Sequence, residues 1–313
     1  MHAGNRALNV NARTSVVTAA DAEGDPAPRA DRFPDDPAGE DGGGTAGAAW
    51  KLPDGPTCAK RARTHVRQAL SVLRLPESLI SDAELAVSEL AANAWQHALD
   101  GKSLPEEAGS GTALPELWLY RRGASPGAEL VCGVFDTRRD VWPEPQEDSL
   151  RLVPCGDDVA DPLLDALLTD APGNGRGLGI VEAVSHDTGC HRTRSRLNSL
   201  AVPGKVTWFT MKIPASSPAA QPPPANLTPF QAAHALSTLL TWRGIPGISH
   251  DHGTRTQSVV SIAAGLSVRC RDGIFQWLSG GPRQRAFFDL ADTLEDLIRL
   301  HEDMAYAGQQ TSG

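Results

Sequence analysis

The sequence predicts an α+β protein: a two-layer sandwich with a mostly antiparallel, mixed sheet carrying helices on one face, followed by a small α-β-β-β-α unit. Three observations predict it. Ala62, Val66, Ala69, Leu70 and Leu73 recur at spacings of three and four through residues 56–75, as an amphipathic helix facing a core requires. Residues 116–122 and 129–137 read as strands, and the glycine-flanked turn 123–127 between them pairs them antiparallel. A closing strand over 204–213 is then followed by a proline-rich stretch and a second set of helix and strand patterns.

Residues 1–49 are rich in Ala, Gly, Asp and Pro and poor in large aliphatic side chains, so they cannot bury enough apolar area to offset their ordering entropy and read as a disordered tail. The main unit spans 50–214. Within it, Ser81 or Asp82 is placed to cap a second helix, the one that carries Glu89 and Asn93. Residues 161–170 read as a short helix. Residues 215–228 hold Pro218, Pro222, Pro223 and Pro224 among Ala and Ser, a composition that favours an extended, semi-rigid linker. The small unit occupies 229–307: a helix over 230–243, strands over 258–262, 266–271 and 274–278, and a helix over 283–306 on which Phe287, Ala291, Leu294, Ile298 and Met304 keep helical spacing. Asp272-Gly273 is a hairpin signal, because a type I′ turn needs positive φ at both central residues.

The chain has 313 residues, enough for one sizeable core and one small one. With 29 Lys and Arg against 38 Asp and Glu the formal net charge is -9, which offers no basic surface to nucleic-acid phosphates. The five cysteines are scattered and form no C-x-x-C pair, which argues against a disulfide framework and a zinc site and for reduced thiols. No apolar run approaches the roughly 20 residues that span a bilayer, and no signal-peptide core opens the chain. The expectation is a cytoplasmic protein with neither a nucleic acid nor a membrane as direct partner.

Chemistry concentrates in three places. Glu89 and Asn93 lie four residues apart in a helix-forming run, about 6 Å along the axis and nearly in line, so both project from one face. Asp136 follows the apolar run 130–135 within the strand 129–137. Then Gly173-Asn174-Gly175-Arg176-Gly177-Leu178-Gly179 opens a further apolar segment. A carboxylate and a carboxamide on one helix face can divide proton handling and metal binding between them. Glycines leading into a helix expose backbone N–H groups to phosphate oxygens, with the helix dipole in support. Glycine at every second position does not fit a dinucleotide fingerprint, and no G-x-x-x-x-G-K-[ST] run exists.

In this order, Glu89, Asn93, Asp136, Gly175, Gly177 and Gly179 resemble the motifs of the ATP-binding domain shared by gyrase, the heat-shock chaperone, histidine kinases and anti-sigma-factor serine kinases. The likeness covers 50–214 and is nearest to the stand-alone anti-sigma type. It implies the histidine-kinase-like ATPase fold, ATP and Mg2+ as cofactors, and a role for each matching residue. Glu89 would be the catalytic base toward the attacking hydroxyl, and Asn93 would give its carbonyl oxygen to the metal. Asp136 would accept from the adenine amine and reject guanine, whose acceptor would be left unpaired there. Gly175, Arg176, Gly177, Leu178 and Gly179 would hold phosphate, and Thr207, near Lys205 at the start of the last strand, would help hold adenine.

Two functions fit that resemblance. One is a serine/threonine protein kinase that binds a partner protein, a sigma factor or its anti-anti-sigma-like antagonist, and passes the γ-phosphate of ATP to a serine. The other is a non-catalytic ATP-dependent switch. It is favoured by the residues after Asp136, where Thr137-Arg138-Arg139-Asp140 replace the family's small residue and Pro143 comes late. Either could act as a monomer or a homodimer. A histidine kinase is disfavoured, since no phosphoacceptor helical pair precedes the domain. His186, Cys190 and His191, and likewise His250 and His252, lack further ligands at usable spacing and read as solvated or turn residues. His97 reads as a helix-end residue, and Trp208 and Trp277 as core or rim. The small unit shows no catalytic cluster, which points to protein interaction or sensing.

Overall fold

A computed structural model describes residues 47–98, 114–123, 127–138, 176–197, 201–220, 227–271, 273–279, 286–287 and 289–310. Among them the protein is a mixed α/β chain with two five-stranded sheets, and every strand pairing is antiparallel. No described helix is long and apolar enough to cross a membrane.

The first sheet has the order β1-β2-β3-β5-β4, formed by β1 (Ala48–Lys51), β2 (Glu116–Arg122), β3 (Glu129–Asp136), β4 (Asp187–Arg194) and β5 (Pro203–Lys212). Alternation along the strands separates two faces. Trp50, Leu117, Leu119, Leu130, Cys132, Val134, Phe209 and Met211 form one core with Val66 and Leu70 of α1 (Cys58–Val72), Val87 and Leu90 of α2 (Glu77–Ala98), and Val181 of α3 (Arg176–Val184). The opposite face carries Ala49, Trp118, Phe135 and Val206. Asp136 and Lys205 are register partners. By the same alternation they share the helix-side face with Val134 and Thr207.

The second sheet is a meander, β10-β9-β8-β7-β6: β6 (Ser249–Thr254), β7 (Gln257–Ser261), β8 (Ser267–Arg271), β9 (Ile274–Ser279) and β10 (Ala286–Phe287). Its core joins Val260, Leu266, Val268 and Trp277 to Leu236 and Leu240 of α4 (Pro229–Trp242) and to Leu294, Leu297 and Ile298 of α5 (Leu290–Gln310). α4 starts cleanly because Thr228 and Gln231 form a capping box and Pro229 needs no N–H partner at its first position.

α5 belongs to both sheets. Its apolar stripe faces the second, while Glu295, Glu302 and Asp303 are turned to the first. So the face opposite α1 and α2, which the sequence leaves uncovered, is covered by the carboxyl-terminal helix.

Several elements differ from expectation. α2 begins at Glu77, directly after Pro76, so Ser81 and Asp82 lie inside the helix rather than capping it. β1 starts at Ala48, two residues inside the presumed tail. β4 shows no apolar alternation (Asp-Thr-Gly-Cys-His-Arg-Thr-Arg), and its Cys190 and His191 read as solvated or turn residues, yet it forms the sheet's edge. The second unit has five strands instead of three, and Phe287 sits in β10, with α5 starting at Leu290 after an Asp289 side chain that accepts from the Ala291 N–H at 2.7 Å. The linker contains a 3₁₀ turn, Pro218–Ala220, and Ala219 packs on the first core. The expected helix over 161–170 and most of the tail lie outside the described residues.

Candidate functional site

α2 brings Glu89 and Asn93 onto one face, and α3 meets that face at Gly177. A Cβ placed on Gly177 would lie 2.7 Å from Glu89 Oε2, 3.4 Å from Glu89 Cβ and 3.6 Å from Asn93 Nδ2. The helix therefore approaches this closely only because position 177 has no side chain. Gly177 is the second residue of α3, so the Glu89 carboxylate lies beside the helix's amino end, where unpaired N–H groups and the positive dipole end favour an anion. Both side chains are half-buried. Leu178 and Val184 anchor α3 to the core. Gly179 is exposed, and a Cβ there would meet nothing within 4 Å, so it plays no part in the close approach. Gly173 and Gly175 lie outside the described residues. Arg176 opens the helix, and its side chain is outside the description.

A second group lies at the end of β3. The Asp136 carboxylate is buried and receives Lys205 Nζ at 2.6 Å and 2.7 Å on its two oxygens, with the Arg138 N–H at 2.9 Å. Burial dominates and pushes the Asp136 carboxyl up from the usual carboxylate range, against the pull of Lys205. Gly204 makes this junction tight, since a Cβ there would strike the Asp136 carbonyl oxygen and the Phe135 ring. Thr207 donates to Cys190 Sγ at 3.5 Å, not to Asp136. The Cys190 thiol is pushed up to about 11 by burial, which favours its protonated form. The structure thus joins Glu89, Asn93 and Gly177 in one group and Asp136, Lys205, Thr207 and Cys190 in another, both on the helix side of the sheet.

The residues can be tested against ATP and Mg2+. Among the described residues no cluster of three His, Cys, Asp or Glu could hold a metal ion. A magnesium ion here would take the Asn93 carbonyl and fill its other positions with phosphate oxygens and water, as that ion ordinarily does. The amino end of α3 suits a phosphate, which would share it with Glu89. Asp136 suits a base amine only if Lys205 shares the carboxylate. The residues fit the group, with two positions already held by protein charges.

Sequence reasoning missed a buried polar cluster on the sheet's other face. Glu295 of α5 receives Arg196 at 2.6 Å and Arg243, at the end of α4, at 2.8 Å. It also accepts from Thr193 at 3.0 Å. Glu116 accepts from Ser195, from the Arg196 N–H at 2.8 Å and from Trp118 Nε1 at 2.9 Å. The two guanidinium groups lie 4.3 and 5.1 Å from the Trp118 ring centroid. Farther along β4, Arg194 meets Glu302 at 2.6 Å, and Arg192 meets Asp303 at 3.2 Å and lies over Tyr306 at 3.8 Å. His191 is no solvated residue: Nδ1 accepts from Trp208 Nε1 at 3.1 Å, and burial pulls its pKa down to about 4. The only sequence signal was the density of arginine in 192–196, which has no meaning until α5 supplies its acids.

No protein-family model and no curated protein matches this chain.

Proposed function

We propose that the chain is an ATP-binding regulatory protein with a histidine-kinase-like ATPase fold in its first sheet and α1 to α3. In this reading it acts as an anti-sigma-factor-like serine/threonine protein kinase. The observation that carries it is the convergence of Glu89 and Asn93 on the glycine at the amino end of α3. A base, a hard neutral oxygen and a set of backbone donors are the parts phosphoryl transfer needs, because that reaction depends on positioning and charge neutralisation more than on covalent help. When bound, the magnesium ion supplies charge neutralisation at the phosphates. Glu89 takes the proton that a partner's serine hydroxyl gives up as its oxygen bonds to the γ-phosphorus, and the bond from that phosphorus to the β-phosphate oxygen breaks to release ADP. The Asn93 carbonyl would hold the ion, and the amino end of α3 would hold the phosphates.

A second reading is supported by the Asp136–Lys205 pair and by the seating of Glu89 at the helix end. Both are ligand positions that the protein fills with its own charges. A module that trades these internal contacts for nucleotide would switch a partner without turnover.

Labelled-ATP transfer to partners that copurify with the protein separates the two readings. For the kinase, Glu89→Ala should keep nucleotide binding and lose at least about 100-fold in transfer. A native protein that binds ATP but phosphorylates nothing it captures leaves only the switch. Asn93→Ala should abolish the magnesium dependence of ATP binding, and an unchanged magnesium titration would remove Asn93 from the site.

A further inference from the structure

Among the described residues, Lys205 is a charged group at the site to which the proposed reaction gives no task. Its ammonium reaches both Asp136 oxygens, at 2.6 and 2.7 Å, and each residue is 5% exposed. The contact is fixed by register, since the two residues face each other across β3 and β5, and by Gly204, which lets the strands close up beside them. An ionised carboxylate has about four acceptor positions and an ammonium has three donors. With Lys205 and the Arg138 N–H in place, Asp136 keeps at least one acceptor position, and Lys205 keeps one donor beside it. Any ligand edge that reaches the carboxylate meets a donor as its neighbour.

We propose that Lys205 is a specificity-determining residue for the nucleotide base, which makes the site read a donor next to an acceptor and so admit guanine as well as adenine. This rests on the nucleotide-binding reading above. Facing a carboxylate alone, adenine offers its exocyclic amine, whereas guanine turns its O6 acceptor toward an acceptor and leaves both unpaired, a loss of about 1–3 kcal/mol. An ammonium beside the carboxylate changes that balance. Guanine O6 accepts from the free Lys205 donor while its N1–H donates to the acceptor position that Asp136 keeps. Adenine donates from its amine to Asp136 and accepts from Lys205 on one ring nitrogen. Thr207 is not the nearer alternative, since its hydroxyl is directed at Cys190.

The test is calorimetric titration of the full chain with ATP, GTP and inosine triphosphate, each with magnesium. Inosine keeps O6 and N1–H and lacks the amine. The native protein should bind all three within about tenfold of one another, and Lys205→Met should weaken GTP and inosine triphosphate at least about tenfold more than ATP. The ratio within one protein is the readout, so a general loss of folding in the variant does not imitate the result. Should that variant fail to fold, the native ratios decide. A native preference for ATP of more than about 100-fold over both others overturns the inference and leaves the ATP-binding reading standing. Binding of none of the three overturns both.

Discussion

At the scale of single residues, the arrangement depends on what Gly177 lacks. A methyl group there meets the far end of the Glu89 side chain at 2.7 Å, a contact that Glu89 can relieve by changing rotamer, and its Cβ at 3.4 Å, which is tight but tolerable. A Glu89 χ angle displaced by about 30° costs about 0.5–1.5 kcal/mol, and replacing a helical glycine by alanine gains up to about 1 kcal/mol, less in the first turn. The two nearly cancel. Gly177→Ala is therefore expected to leave the thermal midpoint within a few degrees of the native protein while reducing phosphotransfer at least about tenfold, because Glu89 has turned away. A variant that keeps both stability and transfer would show that the close approach is packing only. Glu89, Asn93 and Gly177 were legible in the sequence because helical periodicity fixes a face and a glycine run announces close backbone approach. Lys205 was not legible as a partner of Asp136. Their meeting is a matter of strand register across 69 residues, which no local pattern records.

At the scale of elements, β4 and α5 explain each other. β4 has no apolar alternation because its arginines and Thr193 pair with Glu295, Glu302 and Asp303 of a helix about 100 residues later. α5 in turn carries acids on the face where an ordinary amphipathic helix would meet water. Neither pattern can be read alone, so no strand is expected over 187–194, and the helical spacing expected from Phe287 onward includes a residue that belongs to the edge strand β10. α1, β2, β3 and β5 obey local periodicity and were legible to within a few residues. Glu295 is the centre of the joint. The adjacent Arg196 and Arg243 hold its carboxyl far below the usual range despite its burial. Removing it strands two buried guanidinium groups, so Glu295→Ala should cost about 3–5 kcal/mol in urea unfolding, the range seen when one partner of a buried pair is deleted. A cost below about 1 kcal/mol would mean that water or Glu116 already neutralises the arginines.

At the scale of the whole molecule, the two sheets meet through packed elements among the described residues. The linker's 3₁₀ turn packs on the first core, and α5 joins both sheets through opposite faces, apolar toward one and charged toward the other. Because that joint is polar, its strength depends on pH, and His191 sets the window. Its Nδ1 accepts from Trp208 Nε1, so a proton added there would set donor against donor, and its enclosed Nε2 has no hydrogen-bond partner among the described residues. Glu295, Asp296 and Asp303 favour the charged ring and Arg299 opposes it, but burial prevails and holds the folded pKa near about 4 against an unfolded 6.5. A depressed histidine adds stability that is complete above pH 6.5 and declines as pH falls toward 4, because in that interval only the unfolded chain takes up the proton. Between pH 7.5 and 5 the loss should reach at most about 2 kcal/mol, less to the extent that solvent reaches the half-buried ring. The raised carboxyls of Asp136 and Asp289 act in the opposite direction, and Glu295 loses its contribution only at lower pH. Comparison with His191→Gln, which keeps an acceptor for Trp208 and does not titrate, therefore isolates the histidine. Urea unfolding of the two proteins at pH 7.5 and 5 should show the native chain losing more than the variant. Equal losses would mean that the imidazole is hydrated in the folded protein and that the joint's pH response arises from its carboxylates.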